Sequence, residues 1–219
     1  MLNQTHQSFL SQYANADQHY SYDDAPKAYV RNTKDHRIID RGLSDADADI
    51  REAAINNPNV TKEHISKALN DEYAGVRHSA MCNLNATKEH ISRGLDDKSW
   101  YVREAAINNP NVEPEHITKA LLHSDKGTRI TAVENPKLSS QQLKTALNDV
   151  DEHVRAAAIS NPNVTSEQLH NALNDKDWNV RRSAIKNPNA KIEHLHIALN
   201  DEEPYVSRMA ARQLSKLQD

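Results

Sequence analysis

Apolar and polar positions follow one another along this chain in a pattern that returns every 26 residues. The stretch from Val102 to Asn111 (VREAAINNPN) shows the pattern most clearly. Its first hydrophobic position has equivalents at Ile50, Val76, Val102, Thr128, Val154, Val180 and Val206. Similarity at a short fixed period is typical of a repeat protein, in which each unit packs on its neighbours instead of around one central core.

Each unit contains two stretches with the three- and four-residue spacing of an amphipathic helix. The first stretch places a leucine four residues after an isoleucine or leucine, as in Ile91 and Leu95. The second places a small alanine four residues after the valine series, as in Val102 and Ala106. Helices this short are marginal alone and need neighbours to stabilise them. The sequence therefore predicts an all-α fold, an α-solenoid of seven 26-residue two-helix repeats with N- and C-terminal caps.

Residues that favour helix ends recur at fixed places in the unit. The first helix is predicted to begin after a hydroxyl-bearing N-cap residue at Thr61, Thr87, Ser139 and Thr165. Glu113 takes this place once, followed by Pro114, which suits a first helical position. The second helix is predicted to end at an asparagine–proline pair such as Asn109-Pro110, because the residue before a proline disfavours helical torsion angles.

Two segments lie outside the regular pattern or at its edge. Residues 1–25 are polar and are predicted to be an N-terminal cap over the first repeat or an arm that contacts a partner. Residues 26–219 are predicted to form a single α-solenoid domain that starts with a degenerate repeat, with Asp35 as a helix N-cap, and ends in a cap helix after Ala210.

Three polar series accompany the apolar one. Aspartates precede the valine series by five residues, and arginines follow it by one, as in Asp97 and Arg103, with Arg208 displaced by one position. An arginine beside the apolar face needs a counter-ion, so an Asp–Arg ladder between stacked units is predicted. The alternative is a row of arginines that reads phosphates. The third series, Asn57, Asn83, Asn109, Asn135, Asn161 and Asn187, is predicted to bond turn carbonyls and amides of its own or the next unit.

Composition restricts the classes of protein. The formal net charge of −4 gives no general affinity for nucleic acid or anionic membranes. The single cysteine, Cys82, excludes an internal disulfide and a cysteine-rich metal site. The N-terminus lacks the pattern of a secretory signal, and no apolar run reaches the length of a membrane span. We therefore expect a cytoplasmic protein that does not contact a membrane.

Candidate chemistry is sparse. One histidine per unit recurs at His64, His90, His116 and His194, and we interpret these as polar surface, because neighbouring helices are too far apart for a shared metal ion. Motifs for phosphate loops, metalloprotease helices and nucleophile elbows do not occur. No catalytic residue, metal ligand or cofactor is predicted, and the chain is expected not to be an enzyme.

The repeated residues resemble a known family. The stretch from Leu147 to Arg155 (LNDVDEHVR) is similar to the HEAT-like repeat pattern, and the added Asn-Pro turn in a short unit resembles the leucine-rich repeat variant, over roughly residues 26–213. The resemblance implies short alternating helices. Some variant-repeat proteins carry an iron–sulfur cluster on N-terminal cysteines, but this chain lacks those cysteines. Some HEAT-like proteins are DNA glycosylases, but no acidic and aromatic set here matches their site.

Two surfaces are candidates for binding. The first is a set of aromatic side chains in the loop before the second helix: Tyr73, Trp100, Tyr101, Trp178 and Tyr205. Aligned Trp and Tyr side chains often anchor protein interfaces. The alternative is that they cover the thin core at the repeat junctions.

The second surface is the outer face of the second helix, two and six residues after the valine series. It changes from acidic or neutral, as at Glu52, to basic at Arg182, Lys186, Arg208 and Arg212, and Ile130 places an apolar residue there. Ordinary solvated charge is the alternative. We predict a non-catalytic scaffold that binds another protein through these two surfaces. The alternative function is nucleic-acid binding by these basic residues together with Trp178. A role in base repair belongs to this alternative.

Overall fold

The structure is a computed structural model that describes residues 25–216. Over that range it consists of α-helices and turns without strands, which confirms the predicted all-α solenoid of two-helix repeats. The helices are α1 Ala25–Asn32, α2 His36–Gly42, α3 Ala48–Ile55, α4 Lys62–Ala68, α5 Ala74–Cys82, α6 Lys88–Gly94, α7 Trp100–Asn108, α8 Pro114–Leu121, α9 Lys126–Glu134, α10 Ser140–Leu147, α11 Glu152–Ile159, α12 Ser166–Ala172, α13 Trp178–Lys186, α14 Ile192–Ala198 and α15 Pro204–Ser215.

The helices group into two compact units, one ending at Val112 and the other beginning at Glu113. In the first unit, the odd-numbered helices α1, α3, α5 and α7 pack in succession, and each even-numbered helix packs on the odd-numbered helix that follows it. The second unit repeats this arrangement from α8 to α15. Residues 1–24 lie outside the described residues, so the predicted cap or arm stays a prediction, as does the single-domain boundary at residue 26.

The core of each unit consists of the repeated aliphatic side chains. Ile65, Ile91, Val76 and Val102 are fully buried in the first unit, and Leu169, Val154 and Ala158 in the second. Gly94 takes the place that alanine has in most copies, because a Cβ there would overlap the sulfur of Met81 and lie 3.0 Å from the Cβ of Ala106. The larger Met81 and the smaller Gly94 therefore compensate each other.

Helix ends follow the predicted capping residues. Thr61, Thr87, Ser139 and Thr165 each accept a hydrogen bond from the amide three residues on. Asp35 caps α2, and Glu113 precedes Pro114 at the start of α8. Five odd-numbered helices have acidic N-caps that sequence reasoning missed: Asp47, Asp125, Asp151, Asp177 and Glu203. The N-caps of α5 and α7, Tyr73 and Ser99, make no such side-chain bond.

The recurrent histidines are not polar surface, and that interpretation was wrong. His64, His90, His116 and His194 are between 1% and 7% exposed. Each Nδ1 accepts a hydrogen bond from the backbone amide of its own N-cap residue, at 2.8–3.1 Å. The amide can only donate, so Nδ1 is the acceptor in each of these bonds. In His64 and His90, whose pKa is lowered by burial, the ring is neutral with its proton on Nε2.

In His90 and His194 the second ring nitrogen contacts the preceding repeat. The Nε2 of His90 lies 2.7 Å from the hydroxyl of Ser66, and that of His194 lies 3.1 Å from the carbonyl of Ser166. Glutamine replaces histidine in two copies, at Gln142 and Gln168. Gln142 makes the same two kinds of bond: its Oε1 accepts from Ser139, and its Nε2 donates to Pro114 and Thr118. One acceptor and one donor at this position therefore connect successive first helices.

We expect a fall in pH to weaken the hydrogen bonds that His90 makes between successive first helices, and so to lower the free energy of unfolding. The substitution His90→Gln should remove part of this pH dependence. Burial lowers the pKa of His90, against the opposing charges of Glu89 and Glu63 and with the help of Arg93. Because the folded pKa lies below the ordinary value of about 6.5, protonation favours the unfolded chain. The contribution of His90 to stability is complete above about pH 6.5 and falls below it, by at most about 1.4 kcal/mol per pH unit.

Urea unfolding of the wild type and His90→Gln between pH 7.5 and 5 measures this loss. The variant should lose less stability over that range, because the amide does not titrate but keeps both bonds. His170→Gln, at an exposed position on α12, is the matched control and should follow the wild type. Parallel curves for wild type and His90→Gln would contradict the assigned ring state.

The predicted Asp–Arg ladder is confirmed. In the ion-pair ladder Arg51–Asp71, Arg77–Asp97, Arg129–Asp149, Arg155–Asp175 and Arg181–Asp201, Nε and Nη2 of each arginine bond both oxygens of an aspartate in the next repeat at 2.7–3.0 Å. The third nitrogen donates to two carbonyls of the arginine's own loop, as from Arg77 to Asp71 and Glu72. These arginines are buried and fully engaged, so they do not form a phosphate-binding row.

The asparagine series has the predicted structural role, but its bonds to another unit reach the preceding repeat and not the next one. The amide nitrogen of Asn187 donates to the carbonyls of Ile159 and Asn161 in the preceding repeat, at 2.6 and 3.1 Å. Its oxygen accepts from the amide of Asn189 at 2.8 Å. Asn109 does the same with Met81 and Asn83 in the first unit.

Candidate interaction surface

The outer face of the odd-numbered helices differs from copy to copy, as the sequence predicted. Side chains six residues after the valine series are exposed, among them Asn56, Cys82, Glu134 and Lys186. Side chains two residues after it are mostly half-buried, and Ile130 is one of them, so this apolar residue is less accessible than predicted. The residues that all copies share face the core, and the residues that differ between copies form the exposed surface.

The predicted aromatic side chains lie in the first turn of the odd-numbered helices instead of in the loop before them. Trp100 and Trp178 are the first residues of α7 and α13, Tyr101 and Tyr205 are second residues, and Tyr73 is the N-cap of α5. Trp100 is 64% exposed, and Tyr73, Tyr205 and Trp178 are 52%, 45% and 37% exposed. Tyr101 is half-buried. Four of the five are therefore accessible, and Tyr101 is the one that helps cover a repeat junction.

In the first unit, Tyr101 connects the aromatic set to the neighbouring helix. Its ring meets Trp100 edge to face at 6.0 Å and lies 5.4 Å from the ring of His78 on α5. Tyr73 folds over Gly75, where a Cβ would lie 2.7 Å from the tyrosine ring. Trp100 is therefore exposed to solvent and packs against Tyr101, which itself contacts His78 on the neighbouring helix.

In the second unit, the two predicted surfaces meet at one place. Trp178 on α13 and Tyr205 on α15 contact edge to face, with ring centroids 5.9 Å apart and planes at 76°. The guanidinium carbon of Arg182 lies 5.9 Å from each ring centroid. A cation held against two rings is stabilised by the negative ring faces and has less conformational freedom.

Arg182 leaves much of its hydrogen-bonding capacity unused. Its Nη1 donates to Asn179 Oδ1 over a long 3.4 Å, and its Nε is buried without an acceptor in the described part of the chain. An arginine has five N–H donors, and a buried donor without a partner carries a desolvation penalty. This arrangement contrasts with Arg181, the next residue, whose ladder bonds use Nε, Nη1 and Nη2.

The other predicted basic residues continue this surface. Lys186, Arg208 and Arg212 are exposed on the same two helices and form no ion pair with another residue in the described range 25–216. Nearby carboxylates are engaged elsewhere, since Asp177 and Glu203 cap helices and Glu202 lies 3.3 Å from Arg181. We call Trp178, Arg182, Lys186, Tyr205, Arg208 and Arg212 the basic aromatic surface.

The remaining clusters of titratable side chains and the main groove give little support to a metal, catalytic or ligand-binding site. Asp151, Glu152 and His153 bring possible metal ligands within 4.8 Å of one another, but the Lys126 ammonium lies 3.2 Å from Asp151 and supplies the positive charge there. The Sγ of Cys82 lies 3.7 Å from His78, and burial raises the pKa of this thiol, which disfavours the nucleophilic thiolate. The groove of about 520 Å³ between α1 and α3 is lined by charges of both signs that partly pair, as Lys27 and Asp49 do at 2.7 Å.

Comparison with solved structures supports the fold. The chain is similar, at 20% identity and a TM-score of 0.68, to a solved structure described as a leucine-rich repeat variant with a novel repetitive protein structural motif. The alignment covers 94% of this chain and 81% of that chain. No protein-family model matches, and no curated protein matches. The predicted resemblance to variant repeats is therefore confirmed at the level of fold.

The helices of residues 25–216 also bear on membranes. None of them is both long enough and apolar enough to span a bilayer.

Proposed function

We propose that this protein is a non-catalytic repeat scaffold that binds another protein through the outer face of its odd-numbered helices and the aromatic side chains in their first turns. The observation that carries the proposal is the exposure of Trp100, at 64%, on a base of further aromatic side chains. An exposed tryptophan costs solvation energy in the free protein, and residues of this type dominate binding energy at interfaces. A cytoplasmic location is part of the proposal and agrees with the single cysteine.

The repeat architecture favours this function over catalysis. The polar residues that recur at fixed positions are used to connect repeats, as the ladder arginines and capping histidines are. The residues that differ between copies lie on the outer face of the odd-numbered helices. Because these residues do not connect the repeats, they can change partner recognition without disturbing the packing between repeats.

Affinity capture from the native host tests the proposal. Immobilised wild-type protein should retain a partner that Trp100→Ala or Arg182→Glu loses. Leu122→Ala, which removes another exposed apolar side chain away from the outer face, is the matched control and should retain it. Retention of the same partner by both Trp100→Ala and Arg182→Glu would refute the assigned surface, provided that circular dichroism and urea midpoints show folded variants.

Nucleic-acid binding is the second candidate, favoured by the cations of the basic aromatic surface beside Trp178. Single strands are bound by parallel aromatic faces along a basic track. The rings of Trp178 and Tyr205 instead meet at 76°, with Arg182 close to both, which suits this function less well than protein binding. Phosphate contacts weaken steeply with salt, so absence of binding to any DNA or RNA at low salt would exclude this candidate.

A further inference from the structure

We infer that the basic aromatic surface binds an extended acidic segment of a partner protein, a run of about four Asp or Glu residues with an apolar residue beside it. The inference rests on the proposed scaffold function and names the chemistry of the partner. It starts from the imbalance of charge on α13 and α15.

Four cations lie on these two helices without a counter-ion in the described residues: Arg182, Lys186, Arg208 and Arg212. Some exposed cations elsewhere in the described residues have a carboxylate partner, for example Lys67 with Asp40 and Lys126 with Asp151. Like charges held close on adjacent helices repel one another, and a partner with several carboxylates relieves that repulsion. Charge complementarity therefore selects an acidic occupant.

Arg182 provides a preorganised centre for the surface. The rings of Trp178 and Tyr205 restrict its guanidinium before a partner arrives, so less conformational entropy is lost on binding. Its weak 3.4 Å bond to Asn179 is easily replaced by a stronger charge-assisted bond from Nη1 to a carboxylate. Since Nε is buried, the terminal nitrogens are the donors that a partner reaches.

The spacing of the cations favours an extended segment. Arg182 and Lys186 are four residues apart on α13, as Arg208 and Arg212 are on α15, which places the members of each pair about 6 Å apart. The two helices pack on each other, and packed helices have axes about 8–10 Å apart. Alternate side chains of an extended chain point to opposite sides and repeat about every 6.6 Å. Four consecutive acidic residues between the helices thus direct two carboxylates to α13 and two to α15.

An apolar residue of the partner has a place at one end of the acidic run. Trp178 lies one turn before Arg182, and Tyr205 lies three residues before Arg208, so both rings are at the same end of the cation set. Both remain accessible, at 37% and 45%. A leucine or aromatic residue of the partner next to its acidic run would cover them.

Fluorescence polarisation with defined probes tests this inference on the full chain. The probe is a fluorescein-labelled peptide with four consecutive glutamates, a leucine on each side and Gly-Ser ends. We expect it to bind, and the version with four glutamines to bind at least about tenfold more weakly. Arg182→Gln/Arg208→Gln should weaken the glutamate peptide by about tenfold or more, and Trp178→Ala by several-fold.

Lys144→Gln/Lys191→Gln removes two exposed charges, from the even-numbered helix α10 and from the N-cap of α14 in the second unit, and is the matched control, which should bind within about twofold of wild type. Failure of the glutamate peptide to bind, equal weakening by both double variants, or tighter binding of a ten-residue oligothymidine at the same salt would each overturn the inference. If Arg182→Gln/Arg208→Gln retains the native partner that Trp100→Ala loses, the proposed scaffold function is supported, but the inference that the partner binds through an acidic segment is wrong.

Discussion

Replacement of Asp97 by alanine is expected to lower the free energy of unfolding by about 3–5 kcal/mol. Asp97 accepts two hydrogen bonds from Arg77, at 2.7 and 2.9 Å, and a third from the Ser99 amide at 2.8 Å. The side chains of Arg77 and Asp97 are only 5% and 10% exposed. Without the carboxylate, a buried guanidinium keeps two carbonyl partners but loses its counter-ion.

The titration of Asp97 agrees with this expectation. Burial raises its pKa, but the hydrogen bonds from Arg77 and Ser99 outweigh burial, so its pKa is below the ordinary value. Because the folded pKa is depressed, the pair contributes stability above about pH 3.9, the unfolded value, and loses it as the pH falls lower. Urea unfolding of Asp97→Ala at pH 7 therefore measures the full contribution.

Two further variants isolate the buried pair. Glu72→Ala removes a carboxylate that is 92% exposed and 3.9 Å from Arg51, and should change stability by less than about 0.5 kcal/mol. Arg77→Met/Asp97→Ala removes both charges and should recover part of the loss, though not all, because Arg77 also bonds the carbonyls of Asp71 and Glu72. A loss below about 1 kcal/mol for Asp97→Ala would show that the pair is dispensable.

The repeat period made most of the fold predictable. Identical offsets identified the core positions, and the matched Asp and Arg series implied the ladder, because two charges beside an apolar face need each other. Burial of the histidines could not be inferred from one copy, since a polar residue near a helix start is usually solvated. The appearance of Gln142 and Gln168 at the same position was the available clue, because histidine and glutamine share one acceptor and one donor.

The candidate surface was only partly predictable for a different reason. The four-residue spacing of Trp178 and Arg182 on α13 is visible in the sequence, but Tyr205 lies on α15, and its contact depends on how these helices pack. Exposure also depends on packing: Trp100 and Tyr101 are adjacent in sequence, yet one is 64% exposed and the other half-buried. The repeat period predicts where each residue lies on its helix, whereas its exposure to solvent depends on how the neighbouring repeats pack.

Replacement of Asn187 by alanine is expected to lower the free energy of unfolding by about 3 kcal/mol, because several buried polar groups lose their partner together. Asn187 is 5% exposed. Its removal frees the carbonyls of Ile159 and Asn161 and the amide of Asn189. Asn174→Ala, which removes an exposed bond from Asn174 in the turn after α12 to the carbonyl of His170 in that helix, is the matched control and should cost less than about 1 kcal/mol.

Asn187→Asp tests the direction of these bonds. The aspartate keeps the oxygen that accepts from Asn189, but it turns a second oxygen toward two carbonyl oxygens. Repulsion and burial should raise the folded pKa of this carboxyl above its ordinary value, so the variant is least stable near neutral pH and gains relative to the wild type as the pH falls toward 4. Urea midpoints at pH 7 and pH 4.5 measure the change, and equal losses at both would mean that the amide of Asn187 does not bridge the repeats as a donor.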